Sequence, residues 1–162
     1  MYNKKVMEYF KNPRNHGEME NPDAVGEAIN PSCGDKMKLY LKIDEKNNEE
    51  FISDIKFQTL GCVAAIATSS IFTEMIKGKS LAEAFAISNQ DIIEELEGLP
   101  TPKKHCSLLA VRAFKEAYYQ YLQDQGRNIP EELEKAHHQN ERFAEVAAKN
   151  KENINKELNG ER

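Results

Sequence analysis

From the first strand onward the hydrophobic period changes once, near Gly61, and that change limits what the chain can fold into. Before it, Met37, Leu39, Leu41 and Ile43 share one face of MKLYLKI, with Lys38, Tyr40 and Lys42 on the other. A period of two is the mark of a strand with one buried face and one wet face. FISDIKFQTL (51–60) alternates again and groups Phe51, Ser53, Ile55, Phe57 and Thr59. DEKNNEE (44–50) between them reads as a turn, and AVGEAIN (24–30) as an earlier strand. After Gly61 the spacing is helical. Strands first and helices after imply an α+β fold, a small antiparallel three-stranded sheet with helices packed on it.

Start and stop signals divide the helical part. Residues 3–11 read as a short helix with Val6, Met7 and Phe10 on one side, ended by NPRNHG. A second helix runs from Val63 to Lys77, with Gly78 as its natural stop. Ser80 and Glu83 are spaced as a capping box, and SNQDIIEELEG repeats the form. LPTP breaks the pattern as an extended, mobile and exposed segment, and helical spacing resumes from about Ser107 to Gln125.

GRN (126–128) marks a boundary, so the chain divides into a main domain, 1–127, and a charged, helical C-terminal extension, 128–162. There Asn128 is placed to cap, Pro130 to sit in the first turn, and Glu131 and Glu132 to favour a helix N-terminus. The apolar seam is thin: Ile129, Leu133, Ala136, Phe143, Ala147, Ile154 and Leu158, interrupted by Asn140 and Asn150. A weak coiled-coil seam, a helix folded back on the domain and a loose solvated helix all fit it, each with marginal stability of its own.

Composition excludes several classes. Of 162 residues 40% are apolar and 30% charged, and no apolar run approaches the roughly 20 residues that span a bilayer. The opening MYNKKVMEYF lacks a signal-peptide core, so the chain reads as cytoplasmic. The net charge of −5, with both signs interspersed, argues against nucleic acid and against an acidic membrane surface.

Three cysteines, an odd number in such a chain, argue against a disulfide framework. Each falls at the end of an expected element: Cys33 in NPSCGD, Cys62 in TLGCVAA, Cys106 in KHCSLL. Unrelated core cysteines have no reason to gather at three such mouths. Helix N-termini favour thiolates, the form that binds metal or attacks sulfur, and Cys62 and Cys106 both have that setting. Cys33 and Asp35 are two apart, and in an extended run their side chains point the same way, about 7 Å apart. His105 adjoins Cys106. Three thiolates with Asp35 or His105 suit either a tetrahedral zinc or a [2Fe–2S] cluster. Either residue has an equally ordinary reading, as a turn cap or a backbone hydrogen-bond partner. A weaker fourth ligand suits a carrier that must load and empty. Lys103 and Lys104 add positive charge, whether for a thiolate or for solvent.

These stretches resemble, in order, the blocks of the IscU/NifU iron–sulfur cluster assembly scaffolds: YNKKVMEYFKNPRNHG, SCGDKMKLYLKI, FQTLGCVAAIATSS, TEMIKGKSLAEAFAISNQDI and LPTPKKHCSLLA. The resemblance covers about residues 2–124 and is nearest to the NifU N-terminal domain. It implies an antiparallel sheet with helices packed on it and the site at one end. It implies that Cys33, Cys62 and Cys106 are thiolate ligands, that Asp35 governs cluster release and that His105 is an alternative ligand. It makes Cys106 the acceptor of persulfide from a cysteine desulfurase, and Leu99–Lys103 similar to the segment bound by an Hsp70-type chaperone. Apo iron–sulfur proteins would be the clients. The implied cargo is a [2Fe–2S] cluster built from iron, with zinc as the other metal the donors suit. A homo-oligomer stays open. Thr101 and Pro102 stand where the family has Pro-Val, and Val63 where it has glycine. The spacing of 44 between Cys62 and Cys106 matches the scaffolds and lacks the insertion of the zinc-dependent SufU branch.

Overall fold

The computed structural model describes residues 1–160. Its elements are α1 (Lys4–Lys11), β1 (Ala24–Ile29), β2 (Lys36–Lys46), β3 (Glu49–Leu60), α2 (Val63–Ile76), α3 (Leu81–Phe85), α4 (Asn89–Glu95), a 3-10 turn at Thr101–Lys103, α5 (Cys106–Asp124) and α6 (Glu131–Leu158). The fold is α+β, with a three-stranded antiparallel sheet in the order β1-β2-β3. No described helix is long and apolar enough to cross a membrane.

Strands β2 and β3 run further than the alternation implies. Their connection shrinks to Asn47 and Asn48, both left-handed at φ 54° and 64°. That is the conformation of a type I′ hairpin turn, which asparagine tolerates. The buried face of β3 also differs from the expected one. Ile52, Ile55 and Phe57 are buried, whereas Phe51 and Ser53 are not. The register shifts between Lys42 and Ile43, where Asp54 and Ile52 are the partners and Ser53 is the extra residue. A bulge of one residue inverts the side-chain phase, so alternation counted through Ser53 assigns the wrong face. The Ser53 hydroxyl donates to the Lys42 carbonyl at 3.3 Å, within the bulge.

Both edges of the sheet are covered, which blocks pairing with another chain. On β3, the Phe57 N–H donates to Asn15 O (2.9 Å) and the Ile52 N–H to Lys79 O (2.9 Å). On β1 the cover is α6, joined by Arg112 of α5. Asn140 Nδ2 donates to Glu27 O (2.8 Å), Arg112 Nη2 to Ile29 O (2.9 Å) and Asn150 Nδ2 to Pro31 O (3.2 Å). Of the three arrangements the seam allowed, the helix folded back on the domain is the one found. Leu133 is its fully buried anchor. His137 stacks on Tyr119 (3.8 Å between centroids) with Nδ1 2.9 Å from Glu116 Oε2 on α5. Asn128 does not cap it: Pro130 occupies the N-cap position, and Glu131, Glu132 and Glu134 fill the first turn.

The helices pack on one face of the sheet. Helix α2 is buried nearly all round, and α5 crosses β1 at Gly26. A Cβ on Gly26 would stand 2.1 Å from Ala113 O and 2.4 Å from Ala117 N, so only glycine permits the crossing. The capping boxes at Ser80/Glu83 and Ser88/Asp91 both form. In α1 the buried residues are Val6 and Tyr9, with Met7 and Phe10 only partly covered. The Tyr9 hydroxyl donates to Glu74 on α2 at 2.7 Å. Gly26→Ala should lower stability by about 3 kcal/mol in urea unfolding, because backbone atoms cannot yield as a side chain can. A loss below about 0.5 kcal/mol would contradict the close crossing.

Candidate metal centre

Three element ends converge at one end of the sheet. Cys62 is the N-cap of α2 in extended geometry, and its side chain makes no capping bond. Its sulfur instead lies 3.7 Å from that of Cys106, the buried first residue of α5. Asp35 immediately precedes β2. One carboxylate oxygen of Asp35 and the two sulfurs all lie within 4.8 Å of one another. Gly61 makes room for this: a Cβ there would be 3.1 Å from Asp35 Cγ and 2.7 Å from the Ala65 methyl. His105 Nε2 is 3.7 Å from Cys106 Sγ, beside the group.

Cys33 stands apart. Its loop is closed by Gly34 N–H to Asn30 O (2.8 Å) and by Asn30 N–H to Asp35 O (2.8 Å), with Gly34 left-handed at φ 79°. This turn replaces the extended run that would send Cys33 and Asp35 the same way. Asp35 joins the two sulfurs, while exposed Cys33 lines a cleft together with Leu60 at the end of β3 and Ala147, Asn150 and Ile154 of α6. Of the five candidate ligands, the structure therefore gathers Asp35, Cys62 and Cys106, sets His105 against Cys106, and leaves Cys33 on the neighbouring loop.

The Cys106 thiol does not have the lowered value expected of a helix N-terminus. It is pushed up to about 12, first by burial and then by the neighbouring Cys62 and Asp35, with Lys103 opposing. In the metal-free protein desolvation outweighs the helix-end field, so Cys106 is a neutral thiol. A cation on the three donors would replace that penalty with attraction and expel the proton.

One neighbour of the site, Tyr2, gives no signal in the spacing of residues, whereas Lys103 is already a candidate charge beside a thiolate. The pKa of the Tyr2 phenol is raised, first by burial and then by Cys62 and Cys106, with Lys103 opposing; Tyr2 and Lys103 therefore flank the thiols. The matched opening block was the only sequence signal for Tyr2. The segment before α5 also differs from the exposed, extended stretch expected. Leu99 is buried in the core and Thr101–Lys103 coil into a 3-10 turn, leaving Thr101 and Pro102 exposed.

At pH 8 iodoacetamide should alkylate Cys33 at least ~10-fold faster than Cys106, because only the thiolate reacts. A neutral buried thiol contributes stability that is complete below the ordinary value of 9.0 and is lost as pH rises toward 12. Urea unfolding of the metal-free protein should thus show falling stability above pH 9; equal stability at pH 8 and pH 11 would contradict it.

The family model described as NifU-like N terminal domain matches residues 1–128. The iron–sulfur cluster assembly scaffold protein IscU of Escherichia coli K12 is 51% identical over 123 residues, covering 74% of this chain and 93% of that protein. IscU 1 of Archaeoglobus fulgidus, with the same description, is 48% identical over 142 residues, covering 83% and 90%. Among solved structures, a putative iron–sulfur cluster assembly scaffold protein for the SUF system from Fervidobacterium islandicum AW-1 superposes with a TM-score of 0.60 at 28% identity, covering 72% of this chain and 95% of that one.

Proposed function

We propose that this chain, which belongs to the family of NifU-like N-terminal domains, is a scaffold on which a [2Fe–2S] cluster is built and from which it passes to apo-proteins. One observation supports this most: two thiols and a carboxylate from three element ends lie within 4.8 Å of one another. Soft sulfur ligands suit iron and bridging sulfide, while Asp35 supplies a harder oxygen that leaves more readily. The cluster is cargo here, so one weak ligand serves release.

Sulfur arrives as the persulfide of a cysteine desulfurase. The Cys106 thiolate attacks the outer sulfur, a new S–S bond forms on Cys106, and the desulfurase cysteine leaves as thiolate. Two sulfane sulfurs need four electrons to become sulfide: the two ferrous ions give one each on becoming ferric, and thiols or a one-electron carrier supply the other two. The raised value of the Cys106 thiol means that it needs prior deprotonation, which bound iron supplies. Cys33 completes the thiolate set from its exposed position on the neighbouring loop, and His105 stands ready where Asp35 lets go. An Hsp70-type chaperone reading Leu99–Lys103 would meet Thr101 and Pro102 first, since Leu99 is buried. The same donors suit zinc in tetrahedral geometry, and a zinc-bound sulfur relay is the reading to which the test would otherwise lead.

The test is anaerobic reconstitution with ferrous iron, cysteine and a cysteine desulfurase. Visible bands of a [2Fe–2S] centre should appear and be lost in Cys33→Ala, Cys62→Ala and Cys106→Ala. Asp35→Ala should retain the bands longer and hand its cluster to an apo-ferredoxin about ten-fold more slowly, roughly 1.4 kcal/mol in barrier. A colourless protein that keeps zinc and speeds the desulfurase would overturn the scaffold reading.

A further inference from the structure

Asn140 and Asn150 interrupt the apolar seam of α6, and both reach the backbone of β1 and its continuation. The acceptors taken are Glu27 O by Asn140, Ile29 O by Arg112 and Pro31 O by Asn150. Glu27 and Ile29 are alternate residues of β1, so their carbonyls point out of the same sheet edge, and Pro31 follows in the turn beyond it. Arg112 also donates to Asn140 Oδ1 at 3.0 Å and lies over Phe143 at 4.3 Å, tying α5, α6 and the edge together.

The spacing is matched. Ten residues of helix rise about 15 Å from Asn140 to Asn150. Four residues, two on β1 and two just past its end at Ile29, span up to about 13 Å from Glu27 to Pro31. Helix and strand therefore run side by side in the same direction, and an asparagine falls at each end of the shared stretch. The first two contacts hold the strand itself. The third lies beyond the strand, two residues before Cys33, on the loop that decides where Cys33 stands. Asn150 is exposed, so burial does not explain its place in the seam.

We infer that α6 is a clasp on the Cys33 loop: through the bond from Asn150 to Pro31 O it holds Cys33 on the cleft side, away from Asp35, Cys62 and Cys106. Asn150 is a positioning residue that acts through the loop and touches no donor atom. Release of this contact lets Cys33 swing to the other three, so the extension sets how readily the thiolate set is completed. The inference rests on the proposed role of Cys33 as a ligand, but the clasp itself can be measured without a cluster.

The experiment uses the full chain with Cys106→Ser, so that Cys33 and Cys62 are the only thiols and one intramolecular disulfide can form. Diamide takes up the two thiol hydrogens, and the rate of closure reports how often Cys33 meets Cys62. Asn150→Asp removes the donor and sets a carboxylate against the Pro31 carbonyl; closure should quicken about five-fold with the thermal midpoint unchanged. Asn153→Asp, which makes the same charge change one turn along the same cleft wall, should leave the rate as it was. Equal rates for Asn150→Asp and its parent, or an equal rise in Asn153→Asp, would overturn the clasp. Faster closure with no cluster formed by the three-cysteine chain would keep the clasp and overturn the scaffold reading instead.

Discussion

The pairing of Lys36 with Leu60 is the constraint on which the site depends. Because β2 and β3 are antiparallel, the residue before β2 and the residue after β3 are neighbours across that last pair. Asp35 and Gly61 are those residues, and the carboxylate lies against the glycine. Cys62 follows at once as the N-cap of α2. The register is fixed far from the site, by the left-handed Asn47 and Asn48 at the other end of the hairpin and by the bulge at Ser53. A slip of one residue would turn the buried face outward and carry Asp35 away from Cys62. Hairpin chemistry and site chemistry are therefore coupled.

Cys106 reaches the same point by a different route. Helix α5 lies on β1 because Gly26 lets its backbone approach, and its first residue ends beside α2. Such a position is sheltered, and shelter raises the thiol's pKa more than a helix end lowers it. A sheltered neutral thiol is quiet until a cation arrives. Cys33 lies outside this shelter, on a loop with its own turn. The donors thus differ in exposure and in freedom: three are set by secondary structure, and one depends on a loop and on what holds that loop.

Much of this was legible in the residues. The change of period at Gly61 separates sheet from helices, and the capping boxes at Ser80 and Ser88 place two short helices. The cysteines' positions at element ends mark the site, and the ordered blocks carry the family. What stayed hidden depends on through-space geometry. A single extra residue, Ser53, inverts a face without disturbing the local pattern. The turn at Gly34 parts Cys33 from Asp35, although spacing alone would join them. Asn140 and Asn150 read as flaws in a seam until the open edge of β1 is seen beside them. Tyr2 gave no spacing signal because its partners lie far along the chain.

The proposed scaffold holds one cluster by ligands of two kinds, sulfur and the Asp35 oxygen. Mössbauer spectroscopy of protein reconstituted with 57Fe tests it most directly, because each iron reports its own ligands. Two ferric doublets of equal area are expected, one from an all-sulfur iron and one from an iron with an oxygen neighbour, the second altered in Asp35→Ala. A single doublet of all-sulfur iron that Asp35→Ala leaves unchanged would contradict it.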